Sequence, residues 1–127
     1  GKHDFRNFAR ILETDIVDTR RTVQNIDVTP KGEVLVCEIR GLSFLWHQVR
    51  KMIGAASDVT SGRKNLTDIE RGLNGHKVDF TMAKAEFLTL SNIKYDDIEI
   101  EKVRNERNMR IKYELSKNDN FFWKELF

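Results

Sequence analysis

The sequence predicts a domain that combines β-strands with α-helices, and three observations carry that reading. Residues 22–29 and 33–41 have strand-like apolar patterns on either side of the turn-forming Pro30-Lys31-Gly32. Residues 44–57 place apolar side chains three and four apart, the period of a helix with one buried face. Residues 109–115 alternate strictly, with Met109, Ile111, Tyr113 and Leu115 opposite Arg110, Lys112 and Glu114, as a half-buried strand does.

Taken in order, Phe5, Phe8 and Ile11-Leu12 recur at helical spacing and predict a short amphipathic helix. The first strand of the hairpin carries Ile26 and Val28 on one face. The second has Leu35, Cys37 and Ile39 on one side and Val34 and Val36 on the other, which predicts an interior strand covered on both faces and an inert core role for Cys37. Ser43 is the expected N-cap of the long helix. Its buried stripe is Leu45, Val49, Met52 and Ala56, widened by Trp46 and Ile53, and Ser61-Gly62 ends it. Leu66, Ile69 and Leu73 predict a shorter helix closed by Asn74-Gly75. Leu88, Leu90 and Ile93 predict a strand over residues 87–95. The tail from Phe121-Phe122-Trp123 to Phe127 is too apolar for a solvated end, so it is expected to dock on the body or on a partner segment.

A chain of 127 residues fits one domain, 1–127, and its 39% hydrophobic and 33% charged residues fit a folded one. No apolar run reaches membrane-spanning length, so no membrane association is expected. Cys37 is the single cysteine; it excludes an intrachain disulfide framework and agrees with a reducing, cytoplasmic setting. The net charge of +2 does not by itself announce a nucleic-acid binder. Its distribution is more telling: Arg40, Arg50, Lys51, Arg63 and Lys64 face one acid, Asp58, between residues 40 and 64, with Arg20 and Arg21 upstream. Such a run serves either as a phosphate-facing surface or as an ordinary solvated face. His3, His47 and His76 are far apart and no zinc spacing occurs, so no metal site is expected. No phosphate-cradling glycine loop is present, and Ser43 with His47 lacks the elbow and orienting acid of a hydrolase.

Within the long helix, His47, Arg50 and Gly54 are spaced three and four apart, off the Leu45/Val49/Met52 stripe. An arginine beside a small residue there can meet a carboxylate or a phosphate, or can simply snorkel over the helix. The run FLWHQVRKMIGA at residues 44–55 resembles the FLxHxVRxxxG signature of TruA-type tRNA pseudouridine synthases, in the variant of archaeal and eukaryotic members. HDFRNF at residues 3–8 is similar to the family's HDFxxF, and AKAEFLTL at residues 83–90 resembles its AxAEGLYL. The resemblance spans residues 1–96; residues 97–127 carry no family motif.

The resemblance implies an α+β fold, an antiparallel or mixed sheet with helices packed mainly on one face, forming half of a pseudouridine synthase. It implies a parent enzyme that flips a uridine of tRNA, commonly in the anticodon arm, into a pocket. There an aspartate drives cleavage of the glycosidic bond, the uracil turns, and C5 is joined to the ribose without metal or cofactor. Arg50 matches the arginine that pairs with that aspartate, and Leu88 matches an apolar wall against the base. Arg20, Arg21, His47, Lys51, Arg63 and Lys64 are the candidate RNA contacts, while His3, Asp4 and Phe5 read as structural. The sequence departs from the pattern at Phe87, where the family has glycine, and at Thr89, where it has tyrosine. It contains no RTDxGV-like segment for the aspartate, so the chain alone is expected to be inactive and to need an N-terminal catalytic domain. The other expected partners are tRNA and a second copy in a homodimer, in the cytoplasm or, in a eukaryote, the nucleus. The rival expectation is a non-catalytic RNA-binding or dimerisation module of the same fold.

Overall fold

The computed structural model describes residues 1–12 and 17–91. They form an α+β arrangement: strand β1 (Lys2–Asp4), a 3-10 turn (Arg6–Phe8), β2 (Arg20–Lys31), β3 (Val34–Gly41), helices α1 (Gln48–Thr60) and α2 (Leu66–Leu73), and a second 3-10 turn (Ala85–Phe87). The strand order is β1-β2-β3. β1 runs antiparallel to β2 with Lys2 opposite Thr22, His3 opposite Arg21 and Asp4 opposite Arg20. One compact unit takes in Gly1–Val28 and Cys37–Leu88 and holds the site; the hairpin tip Thr29–Val36 belongs to a second unit. At that tip the turn is Gly32-Glu33, two residues later than Pro30 suggested. Gly32 takes φ +59°, the left-handed backbone that a two-residue hairpin loop requires of its first residue.

The N-terminal segment is a strand and one 3-10 turn, not the amphipathic helix its spacing predicts. Backbone pairing with β2 wins over helix formation: Val23 N–H donates to the Gly1 carbonyl and Phe5 N–H to the Thr19 carbonyl, each at 3.0 Å. Asp4 then accepts from Arg6 N–H at 3.0 Å and from the Thr19 hydroxyl at 2.6 Å, which turns the chain and pins it to β2. A 3-10 turn superposes residues three apart, so Phe5 and Phe8 are both buried as the spacing asks. The structural role expected of the HDFRNF motif extends to Asn7. Its amide donates to the Gly72 and His76 carbonyls at 2.9 Å and accepts from Val78 N–H at 3.2 Å.

α1 begins four residues later than expected, and Ser43 does not cap it. Gln48 folds its side chain back to accept Leu45 N–H at 2.8 Å, and its own N–H donates to the Leu45 carbonyl. These bonds close a turn over residues 45–48 and leave His47 at φ 62°, ψ 10°, a left-handed conformation ahead of the first helical residue. The helix therefore buries Gln48, Gly54, Ala55 and Asp58, while Trp46 and Ala56 of the predicted stripe lie exposed. α2 is capped reciprocally: the Asn65 side chain accepts Asp68 N–H and the Asp68 carboxylate accepts Asn65 N–H.

The core is Phe5, Phe8, Ala9, Val23, Leu45, Ala55 and Phe80, with Phe8 and Phe80 stacked at 4.7 Å between centroids. Among the described residues β3 ends the sheet; Leu35 and Cys37 are exposed, so the core role expected of Cys37 is not what forms, and whether a further strand borders β3 lies outside the described residues. Residues 87–91 form no strand: the second 3-10 turn covers Ala85–Phe87 and irregular backbone follows. The rest of the strand expected over residues 87–95, the strand expected at 109–115 and the docking of the tail lie outside the described residues. Among the described residues, no helix is long and apolar enough to cross a membrane.

Candidate functional site

Arg50, Gly54 and Asp58 are four residues apart along α1 and so form one row on its surface. The segment Thr81-Met82-Ala83 lies along that row. At one end, Arg50 Nε donates to the Ala83 carbonyl at 2.7 Å and the Arg50 carbonyl accepts Ala83 N–H at 3.1 Å. In the middle, a β-carbon on Gly54 would overlap the Thr81 carbonyl, so only glycine lets the two backbones approach so closely. At the other end, the Asp58 carboxylate, 2% exposed as a residue, accepts Thr81 N–H at 2.8 Å, the Thr81 hydroxyl at 2.7 Å and Arg63 Nε at 2.8 Å. Burial alone would raise the Asp58 pKa; the two Thr81 donors and Arg63 outweigh it and hold the carboxyl below the usual range.

With Nε engaged, Arg50 keeps its two terminal amino groups, for which no acceptor occurs among the described residues. A guanidinium fixed at Nε and open at its other two nitrogens is arranged for an oxygen anion. The segment then runs from Ala83 through the second 3-10 turn to Leu88, which is half exposed and whose N–H donates to the Ala85 carbonyl at 3.0 Å.

His47 stands just outside this row, because its left-handed backbone takes it off the helix; the shared His47/Arg50/Gly54 face becomes Arg50/Gly54/Asp58. Burial, then Arg50, Arg10 and Lys51, push its pKa below the usual histidine value, so the ring is neutral at pH 7 with cations around it. Its buried Nδ1 has no hydrogen-bond partner among the described residues. The ring lies 4.6 Å from that of Trp46, and the Arg10 guanidinium carbon lies 4.8 Å from the Trp46 ring centroid. Trp46 is nonetheless 54% exposed. Sequence reasoning does not single out Arg10 or Trp46 as contacts. The available signal is a large aromatic inside a basic stretch, and the helical period assigns it to the buried stripe instead.

The remaining candidates differ in how committed they are. Arg20 grips Asp18 with two nitrogens, at 3.0 and 3.3 Å. Arg21 donates to the carbonyls of Asp18 and Arg20. Arg63 is held by Asp58, and Lys51 lies 3.5 Å from Asp79. Lys64 makes no ion pair among the described residues. Those residues contain no group of three or more His, Cys, Asp or Glu arranged to hold a metal ion.

Residues 1–96 match the model of a family described as tRNA pseudouridine synthase. The chain is 36% identical to tRNA pseudouridine synthase A of Thermococcus sibiricus, over 93% of the chain and 47% of that protein. It is 36% identical to tRNA pseudouridine synthase A of Pyrococcus abyssi, over 78% of the chain and 38% of that protein. It is 29% identical to the protein of the same name from Methanosphaera stadtmanae, over 89% and 42%. The chain thus spans less than half the length of these curated relatives.

Proposed function

Because the chain belongs to the tRNA pseudouridine synthase family of TruA type, we propose that it supplies half of an active site that isomerises uridine to pseudouridine in the anticodon arm of tRNA. The reaction exchanges the N1–C1′ glycosidic bond for a C5–C1′ bond within one molecule, so its balance calls for no oxidant, reductant or cofactor. One observation carries the reading. Arg50 sits at the signature position with Nε anchored on Ala83 and two nitrogens that meet no acceptor among the described residues, which suits the bracing of a carboxylate from another segment. That segment supplies the catalytic aspartate. Arg50 keeps it ionised and oriented, since an opposite charge at close range favours the carboxylate. Leu88 walls the base. Arg10, Trp46, His47 and Lys51 contact the RNA beside it, with Arg20, Arg21, Arg63 and Lys64 as outlying phosphate contacts. Assembly as a homodimer belongs to the same proposal.

In the protein that carries this chain with the aspartate segment, Arg50→Ala and Arg50→Lys should each lower the saturated single-turnover rate, with far less effect on tRNA affinity. Losing a close two-point charge pair at a water-poor site costs on the order of 2–4 kcal/mol, a rate loss of about thirtyfold to thousandfold. If either variant instead weakens binding and keeps the saturated rate, Arg50 grips RNA and the reading is wrong. The 127-residue chain alone should form no pseudouridine in unmodified tRNA, and turnover above a no-protein control contradicts that part.

A further inference from the structure

We propose that Asp58 is a positioning residue for Arg50, acting at a distance of two helical turns through the clamped segment Thr81-Met82-Ala83. The inference rests on the assignment of Arg50 made above. Asp58 has no place in the proposed chemistry, yet it is the one buried carboxylate among the described residues and accepts three hydrogen bonds from two residues.

The geometry explains why a carboxylate is required there. Fixing one nitrogen of a guanidinium on a flexible stem lowers the entropy lost when its other nitrogens brace an anion. The fixing acceptor for Arg50 is the Ala83 carbonyl, on a segment with no regular secondary structure of its own. Such a segment has no ladder to set its position along the helix. It is registered at two points. Ala83 N–H meets the Arg50 carbonyl, and Thr81 is held by both its N–H and its hydroxyl on Asp58. Between them, Gly54 lets the segment lie flat against α1. Asp58 therefore sets where Thr81 stops, Thr81 sets where Ala83 falls, and the Ala83 carbonyl sets the fork of Arg50. Arg63 pairs with the Asp58 charge at that end. The three α1 positions four residues apart thus act as one device, in which Arg50 presents the guanidinium, Gly54 admits the segment and Asp58 fixes its register.

A double-mutant cycle in the full-length protein tests this, because a residue that acts through Arg50 has nothing left to act through once Arg50 is gone. Asp58→Ala in the otherwise wild-type protein should lower the saturated single-turnover rate about tenfold, as a displacement of about 1 Å at a positioned group can do, with tRNA affinity changed little. In an Arg50→Ala background the same substitution should cost less than about twofold. Thr81→Val, which keeps the backbone donor and removes the hydroxyl, should show the same non-additive pattern at smaller size, and it carries the cycle if Asp58→Ala does not fold. A rate loss of equal size in both backgrounds overturns the inference, because Asp58 would then support the fold only. A wild-type rate in folded Asp58→Ala, with Arg50→Ala impaired, overturns it too and leaves the Arg50 assignment standing. A wild-type saturated rate in Arg50→Ala overturns the Arg50 assignment itself, and the inference with it.

Discussion

Arg10 holds Trp46 twice: its backbone N–H donates to the Trp46 carbonyl at 2.9 Å, and its guanidinium lies 4.8 Å from the indole centroid. The pair ties the N-terminal segment to the turn before α1 and leaves a half-exposed aromatic beside His47, whose ring feels the charges of Arg50 and Lys51. An exposed indole beside cations suits a base with its phosphate.

Arg10→Ala should weaken tRNA binding and reduce the slope of log affinity against log salt by about 1, the signature of one lost phosphate contact. Trp46→Leu should weaken binding with little change in that slope. In a Trp123→Phe background the fluorescence of Trp46 should respond to a tRNA titration. An unchanged signal and an unchanged slope would mean that the pair serves only to fasten the segment.

Gly54→Ala sets two effects against each other. In a helix interior alanine is favoured over glycine by about 1 kcal/mol. Here the new β-carbon would strike the Thr81 carbonyl, backbone that cannot swing aside as a side-chain tip can. Overpacking of this kind costs about 1–3 kcal/mol, occasionally more. We expect net destabilisation, seen as a lower denaturant midpoint, and a reduced saturated rate as the Ala83 carbonyl moves from Arg50. A gain in stability would show that the segment lifts away freely.

Asn7→Ala removes three hydrogen bonds that join the first 3-10 turn to Gly72 near the end of α2 and to His76 and Val78 beyond it. At about 1 kcal/mol each, discounted for the exposed His76 carbonyl, the loss should be about 2 kcal/mol in chemical denaturation. Asn7→Asp keeps the acceptor for Val78 N–H but turns a carboxylate toward two carbonyls, so it should be no milder. An effect within experimental scatter would count against the bridge.

The pKa of His47 is depressed in the folded protein, by burial and by Arg50, Arg10 and Lys51, from an ordinary value of 6.5. Below pH 6.5 the unfolded chain gains a proton on this ring before the folded one does. Its contribution is therefore fully present above pH 6.5 and is lost as pH falls toward the lower folded value. Denaturant midpoints measured across this range should fall on the acid side for the wild type and fall less for His47→Asn, which also tolerates the left-handed backbone. Identical profiles would show that the ring is not held neutral.

The hairpin, both helices and the Arg50/Gly54 face are legible in the sequence because each rests on a local period or a turn residue. Three things are not. The start of α1 depends on Gln48 turning inward to accept Leu45 N–H, and a polar residue in an apolar pattern is ordinarily read as solvent-facing. β1 is three residues long and exists through its pairing with residues 20–22, a non-local cause that no window around Lys2 contains. Asp58 reads as a lone acid in a basic run. Its partners lie five residues away at Arg63 and twenty-three away at Thr81, so its role emerges only once the segment is laid on the helix. The α2 capping box is different: Asn65 and Asp68 stand three apart around Leu66, a local signal that the reading of the apolar positions alone passes over.

The Asn7 amide reaches across 65, 69 and 71 residues of sequence to its three partners. Synthesis runs from N- to C-terminus, so Phe5, Asn7 and Phe8 are made before residues 72–80 and wait for most of the unit to follow. Phe8 finds Phe80, and Asn7 finds Val78, only when α1 and α2 have already emerged. Closing so long a loop is slow relative to forming a helix, so both helices should be present before the N-terminal strand docks. During that interval Phe5 and Phe8 lack the partners that bury them, which makes it a stage at which aggregation or chaperone capture is expected.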